Sequence, residues 1–195
     1  MSLPVRIALA GIVGGILVFF MGFVEHELLG WGSRTFSSLE KDTEFRENLK
    51  GHQLHPAIYA FPQMPKDKSP AEMDPFMKKW AEGPSGFLII APPGDVNMPK
   101  MLGLEFLSNV VAALIAAWIV SLISADKPFL WRWKVVVLIA IFGWVSLVAS
   151  YGIWYEFPWP FIRDDLLCTI LEWSVGGAAI AGFIQPVAKT KAKAA

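Results

Sequence analysis

The sequence contains little of what marks a soluble enzyme or a nucleic-acid-binding protein. One cysteine, Cys168, cannot form an internal disulfide or a cysteine-based zinc site. The 17 lysines and arginines balance the 17 aspartates and glutamates, so no net positive field attracts nucleic acid. No P-loop, dinucleotide-binding glycine motif, HExxH or GxSxG sequence is present. The sequence therefore predicts no nucleic-acid partner, indicates no cofactor, and favours a protein without catalytic activity.

Apolar residues are abundant: they make up 54% of the 195 residues and fall into long blocks. A helix that crosses a bilayer needs about 20 mostly apolar residues. Four blocks meet this length, at residues 3–24, 101–123, 133–154 and 165–187. The first exceeds the apolar core of a signal peptide and is not followed by a small-residue cleavage site, which predicts an uncleaved anchor. We predict an all-α membrane protein with a bundle of four transmembrane helices.

Lysine and arginine residues in the short flanks of these blocks predict the orientation. They lie near the start of the first block, between the second block and the first residues of the third, and after the fourth, at Arg6, Lys127, Arg132, Lys134, Lys189, Lys191 and Lys193. Because positive flanks stay in the cytoplasm, both termini are predicted to be cytoplasmic. The acidic link between the third and fourth blocks, which contains Glu156, Arg163, Asp164 and Asp165, is then external. The predicted organisation is a first helix over 1–24, an external subdomain over 25–100, three helices over 101–187, and a basic cytoplasmic tail over 188–195.

The loop between the first and second blocks is too long for a plain connection, so we expect it to fold. Ser37 with Glu40 predicts the start of a helix that ends at Gly51, and Ser69 followed by proline predicts the start of a second helix. An apolar stripe at helical spacing follows on the second helix, at Met73, Phe76, Met77 and Trp80. Strands are predicted over 57–61 and 86–91. The loop is therefore predicted to be a small α+β cap inserted between helices 1 and 2.

Small residues four apart predict where the helices pack closely. The first block has Gly11 and Gly15, and the fourth has Ser174, Ala178 and Gly182. Helix backbones approach one another at such positions, which favours association where lipid removes the hydrophobic effect. The pattern leaves open whether the partner helix belongs to the same chain, to a second copy or to another membrane protein.

Ionisable residues in or beside the blocks are the candidate functional groups, because charge inside a membrane is costly. Glu25 and His26 end the first block, Glu105 lies near the start of the second, and Glu172 lies inside the fourth. The topology places all four in the outer third of the bundle, where such groups are able to hold a metal ion or relay protons. The alternative is structural: the first three reach water, and Glu172 pairs with Asn109 or another polar group.

Five stretches, spread over nearly the whole chain, form one sequence pattern. They are 11–15 leading to Glu25-His26, 55–62 (HPAIYAFP), 83–88 (GPSGFL), 104–109 (LEFLSN) and 144–158. Together they resemble an uncharacterised family of small bacterial inner-membrane proteins. The resemblance implies the four-helix topology, a bacterial source and a place in the cytoplasmic (inner) membrane. It implies no activity and no catalytic residues.

Two functions of different class are compatible with these features. We favour a non-catalytic accessory or scaffold subunit of a membrane complex, whose partners are the lipid bilayer and a membrane protein or a second copy. The cap stripe and the small-residue faces suit docking. The alternative is a metal-dependent membrane enzyme or metal handler with its site at the carboxylates and the histidine. A small transporter is a third and less favoured function, because four helices are few for a transport path.

Overall fold

A computed structural model describes residues 1–185 of the chain. The predicted end of the fourth block at residue 187 and the predicted basic tail over 188–195 lie outside the described residues. The described chain is mostly helical with one small sheet. It forms two compact units: a helical unit (Met1–Phe36, Asn97–Ser150 and the chain from Pro158 on) and a cap unit (Ser37–Val96 with Tyr151–Phe157).

Four long helices make up most of the helical unit: α1 (Leu3–Phe23), α4 (Met98–Ser121), α5 (Phe129–Trp154) and α6 (Trp159–Phe183). Each is long and apolar enough to cross a membrane, which confirms the four predicted apolar helices and is compatible with an integral membrane protein. The predicted start of the last helix is wrong. That helix begins directly after Pro158, because Pro160 fits the first helical turn, and Arg163, Asp164 and Asp165 therefore lie inside it.

The core of the helical unit is built from small and β-branched side chains where α1 meets α4 and α6. Its fully buried members include Ala10, Ala113, Ala117, Val120 and Ile180. Small side chains let these three helices approach closely, which maximises van der Waals contact between them. The packed centre of the unit is therefore a three-helix contact of α1, α4 and α6.

Glycines on α1 provide the closest approach to α4. A Cβ atom built on Gly15 would lie 2.5 Å from the Cα atom of Val110. A Cβ atom on Gly11, one turn away, would overlap with Leu114. These two predicted packing residues thus lie where α1 meets α4 in the same chain.

On α6, a different glycine makes the closest contact with α1. A Cβ atom on Gly176 would lie 2.5 Å from the Cγ2 atom of Val18. Ser174 and Ala178, which the sequence predicts as packing residues, are half-buried. The Cβ position of Gly182 has no described atom within 4 Å, so this residue makes no close helix contact in the described chain.

Helix α5 packs much less tightly than the other three. Only 6% of its most apolar 18-residue window is buried in the chain. The indole Nε1 of Trp133 donates to the Ser174 carbonyl oxygen at 2.9 Å, and Val136 lies against Gly177. Arg132 donates to the carbonyl oxygens of Val120 and Ser124 at the end of α4. Polar contacts near its first turns thus fasten α5 to the core.

The cap unit contains helices α2 (Asp42–Gly51) and α3 (Pro70–Glu82) and strands β1 (Ala57–Phe61) and β2 (Gly86–Ile90). The strands form an antiparallel pair in which Tyr59 faces Leu88, which confirms the predicted small sheet. The predicted start of α3 after Ser69 is also confirmed. The predicted start of α2 at Ser37 is wrong, because that helix begins after Lys41 and places Asp42 and Glu44 at its positive N-terminal end.

The predicted apolar stripe of α3 is narrower in the structure than in the sequence pattern. Phe76 is buried, and its ring packs against Trp80 at a centroid distance of 5.8 Å. Met73 and Trp80 are half-buried, whereas Met77 is 54% exposed. The indole Nε1 of Trp80 donates to a carboxylate oxygen of Glu156, at 3.4 Å. The stripe thus contributes mainly Phe76 and Trp80 to the small core of the cap unit.

Candidate functional site

The end of α1 carries an unusual backbone feature at the predicted site. Residues Val24–Leu28 continue α1 as a π-helix, in which the amide of Leu29 donates to the carbonyl oxygen of Val24 at 2.9 Å. Such turns are rare and are often associated with functional sites. Within this turn the Glu25 side chain is fully buried, whereas those of His26 and Glu27 are exposed. The interpretation that Glu25 simply reaches water is therefore wrong.

Helix α6 presents a polar face to this turn. Asp164, Cys168 and Glu172 are spaced four residues apart, so they lie on one side of the helix. Glu25 lies close enough to Cys168 and Glu172 to interact with both side chains. Neither carboxylate oxygen of Glu25, however, has a hydrogen-bond partner with acceptable geometry among the described residues. Glu25 and Glu172 therefore form a carboxyl pair that no described donor completes.

An arginine holds the chain that follows the π-helix against α6. Arg34, in a short 3₁₀ turn (Ser33–Thr35), donates from Nε and from a terminal nitrogen to the two oxygens of Asp164, at 2.6 and 2.8 Å. Arg163 also donates to Asp164, at 2.7 Å. The hydrogen bonds to Asp164 raise the pKa of the Arg34 guanidinium, which stays positively charged. Asp164 is buried but satisfied, unlike Glu25.

A groove of about 620 Å³ opens beside the carboxyl pair, between α1 and α4. Its apolar wall consists of Phe19, Phe20 and Phe23 on α1 with Ile16 and Leu102. Polar groups also line it, namely His26, Glu27, Glu105, Asn109 and Glu172. No lysine or arginine in the described part of the chain lines it. The groove is therefore apolar along α1 and acidic where Glu172 reaches it.

A second and smaller cavity, of about 180 Å³, lies between the chain that follows α1 and the first half of α6. Its polar lining includes His26, Asp164, Asp165 and Cys168. His26 lines both cavities, and its ring packs so closely on Gly32 that no side chain would fit at that position. Glu25 interacts with Cys168, which lines this cavity, and with Glu172, which lines the groove.

The structure thus brings Glu25 and Glu172 together and places His26 and Glu105 on the adjoining groove. In the described residues, no three histidine, cysteine, aspartate or glutamate side chains are arranged to hold a metal ion. Asn109, predicted as a partner of Glu172, lines the same groove. Tyr151 packs against Tyr155 and Phe157, at centroid distances of 6.0 and 5.4 Å.

Sequence reasoning missed Arg34, Asp164 and Cys168 as members of the site. The signal for the last two is their four-residue spacing from Glu172, which becomes visible once the helix is started at Trp159. Nothing in the local sequence connects Arg34 with Asp164, 130 residues away.

Comparison with known proteins gives no relative from which a role could be transferred. The chain matches no protein-family model, no curated protein and no solved structure.

Proposed function

We propose that this chain is an integral membrane protein whose functional centre is the carboxyl pair of Glu25 and Glu172, and that the pair binds and releases a proton. The observation that carries the proposal is the complete burial of a Glu25 carboxylate whose oxygens have no hydrogen-bond partner among residues 1–185. Ionisable groups inside a membrane are costly, and where they occur they usually mark ion or proton sites.

The pair needs a positive charge, and the described chain does not supply one. The ion pairs of the described residues involve neither Glu25 nor Glu172. Two charged carboxylates repel each other strongly where the surroundings are apolar. A proton between the two carboxyl groups removes this repulsion and supplies the missing hydrogen bond.

A proton fits this geometry better than a metal ion. Zn²⁺ in proteins takes at least three protein ligands, and Ca²⁺ takes six to eight oxygens. The described residues contain no such group of ligands, whereas a proton needs only the two carboxyl groups. Metal binding by Glu25, His26, Glu105 and Glu172 is the less favoured form of the same proposal.

Infrared difference spectroscopy on the protein in lipid tests the proton site. A pH step should change the carbonyl stretch of a protonated carboxyl group in the unsubstituted chain. This signal should disappear in Glu25→Gln and in Glu172→Gln, and persist in Glu82→Gln, which removes an exposed carboxylate of the cap unit. A spectrum that neither substitution alters would refute the proton site. If the purified protein contains a stoichiometric metal ion that Glu172→Gln loses, the site is a metal site and not a proton site.

A second candidate function is that of a non-catalytic accessory or scaffold subunit. The observation that favours it is an apolar face of the cap sheet, where Ile58 and Ile89 lie opposite each other and are both 69% exposed. Exposed apolar patches often mark protein–protein contacts. Native mass spectrometry from mild detergent should then detect a partner or a second copy, which Ile58→Ser should release. A lone monomer would contradict this function.

We also propose a location and an orientation: the bacterial inner membrane, with both termini in the cytoplasm and the cap outside. The resemblance to small bacterial inner-membrane proteins supports the location, and the basic flanks support the orientation. Arg6 and Arg132 contact the ends of α6 and α4 respectively, so these basic residues belong to one end of the helical unit. The carboxyl pair belongs to the other end.

A further inference from the structure

We propose that the groove between α1 and α4 binds a small lipophilic organic cation, with its positive charge at Glu105 and Glu172 and its apolar part along the phenylalanines of α1. The inference extends the proposed function, because Glu172 belongs to both the carboxyl pair and the groove.

The size of the groove favours a small molecule. Ligand-binding cavities in proteins typically measure about 300–1,000 Å³, and the volume here is about 620 Å³. The groove is open along one side, and its apolar lining residues Ile16, Phe20 and Phe23 are about half exposed. In a membrane this open side faces the hydrocarbon region, so a ligand that dissolves in lipid enters from there.

The charge of the groove requires a cation. Glu105 is exposed on α4, in the second turn of a helix that is able to span a membrane, and it forms no ion pair among the described residues. Glu27 and Glu172 line the same groove, without a lysine or an arginine. An exposed carboxylate in hydrocarbon is costly, and a bound cation removes that cost.

The aromatic wall favours an organic cation over a metal ion or a lipid headgroup. Phe19, Phe20 and Phe23 line the groove with aromatic rings, which attract organic cations as well as apolar groups. A metal ion holds a strong hydration shell and gains less from contact with these rings than an apolar cation does. A phospholipid brings a phosphate, which three carboxylates would repel. A lipophilic cation satisfies the acidic and the apolar part of the groove together.

Binding of tetraphenylphosphonium to the full chain in phosphatidylcholine nanodiscs tests the inference. Titration calorimetry should give saturable binding of one cation per chain. The size-matched anion tetraphenylborate and the neutral triphenylphosphine oxide, each titrated separately, should give no saturable binding. Glu105→Gln and Glu172→Gln should each weaken binding at least about tenfold, because each removes one carboxylate at the cation. Glu82→Gln, which removes the same charge from the cap unit, should leave the affinity unchanged.

A pair of aromatic variants covers the case in which the glutamate variants do not fold. Phe20 is 55% exposed in the groove, and Phe142 on α5 is 73% exposed outside it, so both tolerate replacement. Phe20→Ala should weaken binding several-fold, and Phe142→Ala should not. Non-saturable binding, equal binding of the neutral analogue, or no effect of Phe20→Ala would overturn the inference. Glu105→Gln separates the cation site from the proton site, because this change should weaken cation binding at least about tenfold and leave the infrared signal of Glu25 and Glu172 in place.

Discussion

At the scale of single residues, Glu25 is the buried carboxylate of the described chain whose hydrogen-bonding capacity is unsatisfied. It is buried without a hydrogen-bond partner, whereas the equally buried Asp164 accepts hydrogen bonds from two arginines. A buried carboxylate without partners opposes folding. Residues that oppose folding are often kept because function requires them.

Replacement of Glu25 by leucine should therefore stabilise the protein at a pH at which the carboxyl pair has lost its shared proton. The change replaces an unsatisfied buried carboxylate by an apolar side chain of similar volume. It should raise the free energy of unfolding by about 1–3 kcal/mol. Thermal unfolding in detergent measures it. Asp164→Leu is the matched control: it removes an equally buried but satisfied carboxylate and should destabilise. A loss of stability in Glu25→Leu at that pH would contradict the repulsion between the two ionised carboxyl groups.

Gly15 should be intolerant of even one methyl group. A Cβ atom there meets the backbone of Val110, so Gly15→Ala forces α1 and α4 apart and should cost about 1–3 kcal/mol. Gly143→Ala on α5 is the control, because no described atom lies within 4 Å of its Cβ position. That variant should gain helix propensity, by up to about 1 kcal/mol. Equal unfolding temperatures for the two variants would contradict the close contact of α1 and α4.

At the scale of helices, two arginines cover carbonyl groups that helix ends leave unpaired. Arg6 of α1 donates to the carbonyl oxygens of Phe183, at 2.6 Å, and Gln185 at the end of α6. Arg132 of α5 does the same for the end of α4. The last four carbonyl groups of a helix lack internal partners and carry partial negative charge. Each arginine thus joins the start of one helix to the end of another.

Arg132→Gln should loosen the attachment of α5. The change leaves buried carbonyl oxygens of α4 without a donor and should cost about 1–3 kcal/mol. Lys134→Gln removes the same charge from an exposed position two residues away and should cost less than about 0.5 kcal/mol. Thermal unfolding compares their stabilities, and hydrogen exchange at the end of α4 locates the change. Equal protection in both variants would show that Arg132 does not hold α4.

The elements that sequence reasoning predicts well are those set by long-range composition or by local turn chemistry. Four apolar blocks give four helices, and Ser69-Pro70 gives the start of α3. The π-helix at Val24–Leu28 has no such signal in the local sequence. The start of α6 is missed for a related reason: hydropathy excludes Asp164 and Asp165 from a span, whereas Arg34 makes the burial of Asp164 possible.

At the scale of the whole molecule, the sequence predicts which helix ends carry ionisable residues but not which of these residues meet. Glu25 and Glu172 are 147 positions apart, and only the packing of α1 against α6 brings them together. Glu105, similar to them in sequence context, lies instead on the exposed side of α4. A helix position fixes depth in the bundle, while the neighbouring helix decides burial.

The proposed orientation predicts which surfaces are accessible from outside the cell. In intact cells whose outer membrane has been permeabilised, a membrane-impermeant maleimide should label Ser38→Cys in the cap unit. It should label Asp126→Cys, between α4 and α5, only after lysis. The parent chain, whose one thiol is the half-buried Cys168, gives the background. The opposite pattern would reverse the orientation.

The pairing of Glu25 with Glu172 is the central claim, and a double-mutant cycle tests it most directly. The free energy of unfolding is measured in detergent for the unsubstituted chain, Glu25→Gln, Glu172→Gln and the double variant. Groups that share a proton should show a coupling energy of about 0.5–3 kcal/mol. Glu25→Gln combined with Asp126→Asn, at the other end of the helical unit, should be additive. Additivity of Glu25→Gln and Glu172→Gln within about 0.5 kcal/mol would contradict the account, because the two carboxyl groups would then be independent.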